Sequence, residues 1–557
     1  MYGFTINSGF SSNHPAERVI SYQDNYCVNN MIRKFEEDKV FFEDDDCIII
    51  LDGVVLNKKS FQYSDDWAAT IKELYYKEGE TFFKNLRGCF AGALFDKKQT
   101  KWIVFTDQLG QKFVYYYFDN KRFCCSSMMD EIYSTLRSNN IIYHLDEKAS
   151  FMLLTYGFML EDYTICREIK KIQPGCYITY SNGIINTHNY YYLNNTPNYT
   201  RTEKETIVEI ESLFCQAVKK QFEKDKEYGY KHICALSGGL DARMTTFVAD
   251  ELGYNKQINF TFSQSDYYDE SLPKQMARDL KHEWLYKFLD NGLWLYDVDR
   301  ITKVTGGNVL YYGLAHGDSL FRLLNFTEVG LIHSGQLGDV VLSTKCKNNN
   351  EHYTIGDGSY SDRYLDYLKD IKIQEYPNKE IGYFYSRYLN GANNGLQNLF
   401  NYSETLSPFL DLDFIEYCLS IPCELRYGHN MYKKWILQKH PKAARYIWET
   451  THSKISTPVI SLGGKIVTIT DIPRLACLKI SNILGAQDNR TGMNPIGKYL
   501  QDNKELRDFL FDYFVYVDTI PNKELADVIN SIKLSGKAME KIQAISLLSA
   551  LKLYYNC

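Results

Sequence analysis

Much is missing from this 557-residue chain, and each absence narrows what it can be. No apolar run approaches the roughly 18–20 residues that cross a bilayer. The opening MYGFTINSGF has no basic segment followed by an apolar core, so neither a membrane span nor a secretory signal is expected. The 14 cysteines are scattered without a CxxC spacing and the 11 histidines form no HExxH, which removes the common zinc patterns and leaves reduced thiols and a cytoplasmic protein as the expectation. Cys124 and Cys125, in the strand-like FCCSS, read as packing residues. A net charge of −6 with mixed signs offers no basic stripe, so no nucleic-acid partner is expected. Neither a Walker A loop nor a GxGxxG fingerprint occurs.

What remains is an ordinary globular composition, 45% hydrophobic and 24% charged, in a chain long enough for two or more domains. Before residue 192 the signals are strands: CIIILDGVVL, RGCFAGALFD, KWIVFTD, FVYYYF and GCYITY, separated by turn residues. The polar segment Tyr192 to Thr200 reads as a linker. After it, Thr202 and Glu205 form a capping-box pattern, and Ile207, Ile210, Phe214, Ala217 and Val218 recur at helical spacing. A second domain is therefore expected to open near residue 203, with HICAL and INFTF as strands alternating with helices. From about residue 360 helical patterns dominate.

The chemistry concentrates in KHICALSGGLDARM, Lys231 to Met244. Ile233 to Leu236 read as a buried strand and Met244 to Leu252 as a helix, with Ser237, Gly238, Gly239, Leu240 and Asp241 between them. Such a turn leaves backbone N–H groups unpaired at a helix start, where they suit phosphate. Asp241 is ill suited to touch phosphate directly, which implies a bridging Mg²⁺. The plain alternative is a β-to-α turn capped by a serine and an aspartate.

ALSGGLDAR resembles the pyrophosphate loop of the ATP-pyrophosphatase superfamily, and further motifs resemble asparagine synthetase in particular. Phe260 to Ser263 match its second strand, HSGQLGDVVLS its SGEGxDELFGG and SPFLDLDFIEYCLSIP its PFLD helix. Toward the N-terminus, LDGVVLN resembles NGEIYN, RGCFAGALFD resembles GxFAFxxxD, and TDQLGQKFVYYY resembles DRLGIKPLYYY. The resemblance implies an N-terminal-nucleophile (Ntn-type) αββα sandwich over residues 1–192, of glutamine amidotransferase type. Over residues 203–557 it implies an α/β PP-loop ATP-pyrophosphatase domain with a helical C-terminal part. It implies ATP and Mg²⁺ as partners of the site, with Asp241 and Asp339 as metal-side acids and Leu236, Ser237, Gly238, Gly239, Phe262, Ser334 and Gly335 against ATP. A phosphate-contacting lysine is implied as well; Lys454 is the nearest match, with Lys433 and Lys434 as competitors.

The departures are as informative. Glutamine-dependent members of that family carry a catalytic cysteine after the initiator methionine, and here the residue is Tyr2, a phenol with a pKa near ~10 and little nucleophilic character. Asp52 and Val54 replace the amide and carboxylate of NGEIYN, so a degenerate glutaminase is expected. Ala242, Gln336 and Val340 depart from the synthetase motifs, and Gln336 cannot act as a base at neutral pH.

Three readings follow. The leading one is an ATP-dependent amide ligase that adenylates a small-molecule or peptide carboxylate and couples it to ammonia or a substrate amine. The second is an intramolecular cyclase resembling lasso-peptide cyclases or β-lactam synthetases, and the third a nucleotide-binding pseudoenzyme or interaction protein. A homodimer is left open.

Overall fold

The structure, a computed structural model, describes residues 2–10, 18–61, 63–64, 66–462, 465–468, 472 and 492–555. The N-terminal half contains strands β1 (Phe4–Ser8), β2 (Val19–Tyr22), β3 (Asn25–Asn29), β4 (Val40–Glu43), β5 (Cys47–Val55) and β6 (Gly88–Asp96). It continues with β7 (Lys101–Thr106), β8 (Tyr115–Phe118), β9 (Phe123–Ser126), β10 (Lys170–Lys171), β11 (Cys176–Ser181) and β12 (Ile184–Asn189). These form two six-stranded antiparallel sheets, in the orders β10-β8-β9-β1-β3-β2 and β12-β11-β7-β6-β5-β4. Phe4, Ile6, Ile48, Ile50 and Trp102 fill the space between them.

Helix α1 (Trp67–Glu78) packs on the outer face of the second sheet, and α2 (Met129–Ser138) and α3 (Glu147–Tyr156) lie on the far side of the first. The layers therefore run helix, sheet, sheet, helix. Every residue of β5 is buried: Ile48 and Ile50 face the other sheet, while Cys47, Ile49 and Leu51 face α1. Coverage on both faces is why Cys47 to Leu51 of this strand read as a continuous apolar run instead of alternating.

Helix α4 (Glu203–Glu227) begins on the capping box expected from the sequence: the Glu205 N–H donates to Thr202 Oγ1 at 3.3 Å and the Thr202 N–H to the Glu205 carboxylate at 2.9 Å. Beyond it lies a five-stranded parallel sheet of β13 (Lys231–Ala235), β14 (Gln257–Ser263), β15 (Glu283–Phe288), β16 (Val329–His333) and β17 (Thr405–Leu406), in the order β15-β14-β13-β16-β17. Helices α5 (Asp241–Glu251) and α6 (Tyr268–Leu280) connect the first three. Helix α5 starts three residues before the expected Met244, placing Asp241 in its first turn, where a carboxylate complements the helix dipole. The chain winds outward from β13 to β15 and returns to β16 on the other side of β13. The carboxyl ends of β13 and β16 thus flank the point where the winding reverses, the crevice in which open parallel sheets bind their ligands.

The two halves share a core. Ile132 and Tyr133 of α2 and Phe151 to Leu154 of α3 pack with residues of α7 (Val298–Thr305), α8 (Tyr312–Phe321) and the helix Ala538–Ala550. Tyr133 stacks on Tyr554 with ring centres 4.0 Å apart. All described cysteines are free, while Cys477 and Cys557 lie outside the described residues.

His440 joins α4 to α5, with Nε2 2.8 Å from Glu211 and Nδ1 2.7 Å from Glu251. Burial opposes its protonation, but the two carboxylates overcome this and raise its pKa from 6.5 to about 9. A group whose pKa is raised on folding stabilises the protein fully below the unfolded value, and this contribution is lost as the pH rises through the folded one. We expect stability to fall by up to about 3 kcal/mol between roughly pH 6.5 and 9. Urea unfolding across that window checks this: His440→Gln should be less stable at pH 6 and show a flatter profile, and parallel profiles would contradict the assignment.

Candidate functional site

The loop after β13 is held from several sides. Leu236 donates its N–H to the Phe260 carbonyl at 3.1 Å and accepts from Thr261 Oγ1 at 2.6 Å, which ties the loop start to β14. The Gly239 N–H points at Ser237 Oγ, 3.2 Å away, and the Gly238 N–H donates to Asp269 Oδ1 at 2.7 Å. From beneath, the fully buried Arg243 donates through Nη2 to the carbonyls of Gly238 (2.8 Å) and Ile447 (2.7 Å). With its carbonyl turned down toward Arg243, Gly238 presents its N–H on the side of α6.

A second loop, after β16, lies directly on the first turn of α5. A Cβ at Gly335 would come within 2.3 Å of the Ala242 nitrogen, and one at Gly338 within 2.7 Å of the Asp241 carboxyl carbon. Only glycine permits this approach. Between them Leu337 has φ +69°, a left-handed conformation that costs a non-glycine residue about 1–2 kcal/mol. The result is that the Asp339 N–H donates to Asp241 Oδ2 at 2.9 Å, while Tyr432 donates to Asp241 Oδ1 at 2.9 Å.

Burial, and then the neighbouring Asp339, push the Asp241 pKa well above the carboxylate range. Two acids forced together in this way form a donor set that an oxygen-preferring divalent cation such as Mg²⁺ fits, because it would restore charge balance to both. Asp339 is exposed, and its side chain opens into a cleft of about 460 Å³. Leu236, Ser237, Phe262, Ser334 and Gly335 line the same cleft; Gly238 and Gly239 follow Ser237 in the loop and are not among its lining residues. The Phe262 ring lies 4.8 Å from His316, which burial holds neutral with a pKa lowered to about 4.

Lys454 lies elsewhere. It is exposed on a two-residue strand paired with Ile447–Trp448 and does not line the cleft, although Glu449 in the same ribbon donates its N–H to the Gly238 carbonyl at 3.2 Å. Of its competitors, Lys434 is paired with Glu203 at 2.5 Å and Lys433 sits over the Trp448 ring at 5.3 Å. Arg243, Asp269, Tyr432 and Met493 are site residues that sequence reasoning missed. Arg243 stood in plain view two places after Asp241, but nothing in the sequence says which carbonyls it would reach. Gln336 spends its side-chain amide on the Ala392 carbonyl at 2.7 Å.

Known proteins resemble parts of this chain. Residues 50–191 match the model of a glutamine amidotransferase domain. A Methanocaldococcus jannaschii protein provisionally named asparagine synthetase (glutamine-hydrolysing) 2 is 27% identical over 287 residues, 47% of this chain and 55% of that protein. Asparagine synthetase (glutamine-hydrolysing) 1 of Bacillus subtilis is 24% identical over 279 residues, 47% of this chain and 42% of that one. The chain is similar to asparagine synthetases over just under half of its length. It spans about half the length of the curated relatives it matches. A solved glutamine phosphoribosylpyrophosphate amidotransferase from B. subtilis aligns with 75% of this chain and 86% of its own at 9% identity, with a TM-score of 0.22, too low to bear on the fold.

The N-terminal end of this chain is closed. Tyr2 is 4% exposed, its ring 5.6 Å from that of Phe400, and burial raises its pKa well above the usual phenol value. Val54 is fully buried. Asp52 is paired with Lys112 at 2.6 Å and Lys39 at 3.4 Å, and Glu404 with the same lysines at 3.0 Å and 2.7 Å. Burial alone would raise the Asp52 pKa; Lys112 and Lys39 outweigh it and hold the carboxyl below the ordinary range. Neither Asp52 nor Val54 is available to orient glutamine, so a thiol alone should not restore hydrolysis. Tyr2→Cys, freed of its initiator methionine, is expected to release no glutamate from glutamine above background in an enzyme-coupled assay; measurable release would show that the pocket survives.

Proposed function

We propose that the chain is an ATP- and Mg²⁺-dependent amide ligase that forms AMP and pyrophosphate, using free ammonia or a substrate amine because it has no working glutaminase. The observation that carries this reading is the meeting of two loops at one crevice, with Ser237 and the Asp241–Asp339 pair lining a single cleft. The loop belongs to what we read as a PP-loop ATP-pyrophosphatase domain.

In this reading the adenine lies toward Phe262 and the triphosphate against Ser237 to Gly239. A substrate carboxylate attacks the α-phosphorus, the bond to the β-phosphate oxygen breaks, and pyrophosphate leaves. The donors of the Ser237 loop stabilise the charge as it develops, and they act strongly because they are already oriented. Mg²⁺ held by Asp241 and Asp339 would supply charge neutralisation on the pyrophosphate. The amine then attacks the acyl carbon and AMP departs. Gln336 holds the Ala392 carbonyl and takes no proton, so the proton from the amine passes to solvent.

A second reading, nucleotide binding without turnover, draws on Asp269. Its carboxylate accepts the Gly238 N–H that a phosphate would use. Burial raises its pKa to about 6, with Glu449 adding to the rise and the Gly238 N–H opposing it. Ionised at neutral pH, Asp269 competes with phosphate; protonated, it does not. Nucleotide affinity should therefore increase as the pH falls through about 6, and Asp269→Asn should bind more tightly at pH 7 with that dependence removed. Calorimetric titration with Mg·ATP between pH 5 and 8 measures both, and identical profiles for the two proteins would dissociate Asp269 from binding.

Turnover is tested by pyrophosphate release with a panel of carboxylic acids and hydroxylamine as trapping nucleophile. Wild type is expected to form hydroxamate with at least one acid, and Asp339→Asn to lose about 10²–10³ in rate while keeping its melting temperature. Nucleotide binding with no pyrophosphate from any acid would favour the second reading.

A further inference from the structure

Behind the cleft lies a group of side chains that the ligase reading does not use. Among the described residues, only Asp225, His232 and His333 bring three potential metal-ligand atoms within 4.8 Å of one another. They come from three elements: Asp225 from the last turn of α4, His232 from β13 and His333 from the end of β16. His232 Nδ1 and His333 Nε2 each lie 2.8 Å from the same oxygen, Asp225 Oδ2. Asp225 and His333 are fully buried, and His232 is 7% exposed. The two histidines stand 7 and 108 positions from Asp225, so no local zinc pattern announces the group.

The backbone is shaped to hold this carboxylate. The pairing of β13 with β16 is irregular here: between the Lys231–Val329 and Ile233–Ile332 pairs, two steps along β13 answer three along β16. At this bulge the Leu331 N–H donates to Asp225 Oδ1 at 2.7 Å. A Cβ at Gly330 would lie 2.1 Å from the same oxygen, so only glycine admits the carboxylate. With Oδ1 engaged, Oδ2 is the oxygen shared by the two imidazoles, and Phe222 stacks on the His333 ring with centres 3.8 Å apart. Bulges recur beside functional sites, and metal ligands are typically oriented by hydrogen bonds of this kind.

Charge also argues for a cation. Among the described residues Asp225 has no ion-pair partner except the two histidines. A carboxylate between two neutral imidazoles leaves a net −1 in the interior, which is costly without compensation. The far nitrogen of His333, Nδ1, is buried without a hydrogen-bond partner, so no neighbour fixes the tautomer and Nε2 is free to present its lone pair. Two imidazoles and one carboxylate form a donor set that suits zinc. Ligand atoms around a tetrahedral zinc stand about 3.3 Å apart, so the present contacts would open by only about half an ångström.

We propose that Asp225, His232 and His333 form a structural Zn²⁺ site that clamps β13 to β16 beneath the cleft. On binding, each imidazole keeps one proton, on the nitrogen that faces away from Asp225, and His232 Nδ1, His333 Nε2 and Asp225 Oδ2 become the ligands. A fourth position remains. Cys234, two residues from His232 on the same face of β13 and the partner of His333 across the sheet, is the donor that the register places beside it; its thiol binds by giving up its proton. Because β13 leads to Ser237 and His333 directly precedes Ser334, the ion would fix the strands from which both cleft loops spring. The site does not depend on the ligase reading.

The full-length chain, produced without a histidine tag and purified without chelator, should carry about one zinc per molecule by inductively coupled plasma mass spectrometry. After stripping with dipicolinate in mild urea, Co²⁺ should give the visible bands of a tetrahedral ion, and Zn²⁺ but not Mg²⁺ should raise the melting temperature by about 2 °C or more. His232→Gln and His333→Gln should each lower zinc content about 10-fold or more, while Asp339→Asn should leave it unchanged. X-ray absorption on the wild-type protein serves if neither histidine variant folds, and should show imidazole nitrogen at about 2.0 Å from zinc. Protein that takes up neither Zn²⁺ nor Co²⁺, zinc that survives both histidine substitutions, or zinc bound without imidazole overturns the inference and leaves Asp225 as the acceptor of two histidine hydrogen bonds.

Discussion

The contact on which the candidate site depends is the approach of the β16 loop to the first turn of α5. A Cβ at residue 335 would lie 2.3 Å from the Ala242 nitrogen and one at 338 2.7 Å from the Asp241 carboxyl carbon, so without these two glycines the loop and helix could not approach so closely. Asp339 would then lose its hydrogen bond to Asp241, a residue 98 positions away in the chain. The fold spends conformational strain at Leu337 to keep this contact, and strain of that kind persists only where surrounding structure enforces it. Two acids that would avoid one another in water are thereby held at the mouth of one cleft, and their mutual repulsion makes the place receptive to a cation.

Around the same loop the charges oppose one another. Asp269 sits on an N–H that suits an anion, with Glu449 close behind it, while the buried Arg243 holds the loop from below and keeps its charge at neutral pH, burial lowering its pKa only to about 10. The loop is therefore held by protein groups on both sides, with an internal carboxylate occupying one donor. In the proposed function an incoming phosphate would exchange for that carboxylate without having to order a loose segment, so little conformational entropy would be lost.

The N-terminal half is bound to this machinery by more than apolar packing. Lys39, Lys112, Asp52 and Glu404 form a buried group of four charges, and Glu404 directly precedes β17 at the edge of the parallel sheet. Removing any one member leaves an uncompensated charge in the interior, typically a loss of about 3–5 kcal/mol. The cluster thus fixes the register between the halves, as the shared core around α2, α3 and the helix Ala538–Ala550 does on another side.

The sequence by itself determined the local elements: the capping box at Thr202, the β13 strand, the glycine turn after it, and the doubly buried β5 written as an apolar run. Such features depend on neighbours within a few residues, and local preference carries them. It also shows a phenol at residue 2 where the resembled family carries a thiol, which is a matter of covalent chemistry. Only the tertiary structure decided that α5 begins at Asp241, that Arg243 turns inward to carbonyls some 200 positions away, that Asp269 reaches Gly238, and that Lys454 lies outside the cleft. Those facts depend on which strand lies beside which and on how closely two backbones approach, and no local pattern in the chain encodes such distances.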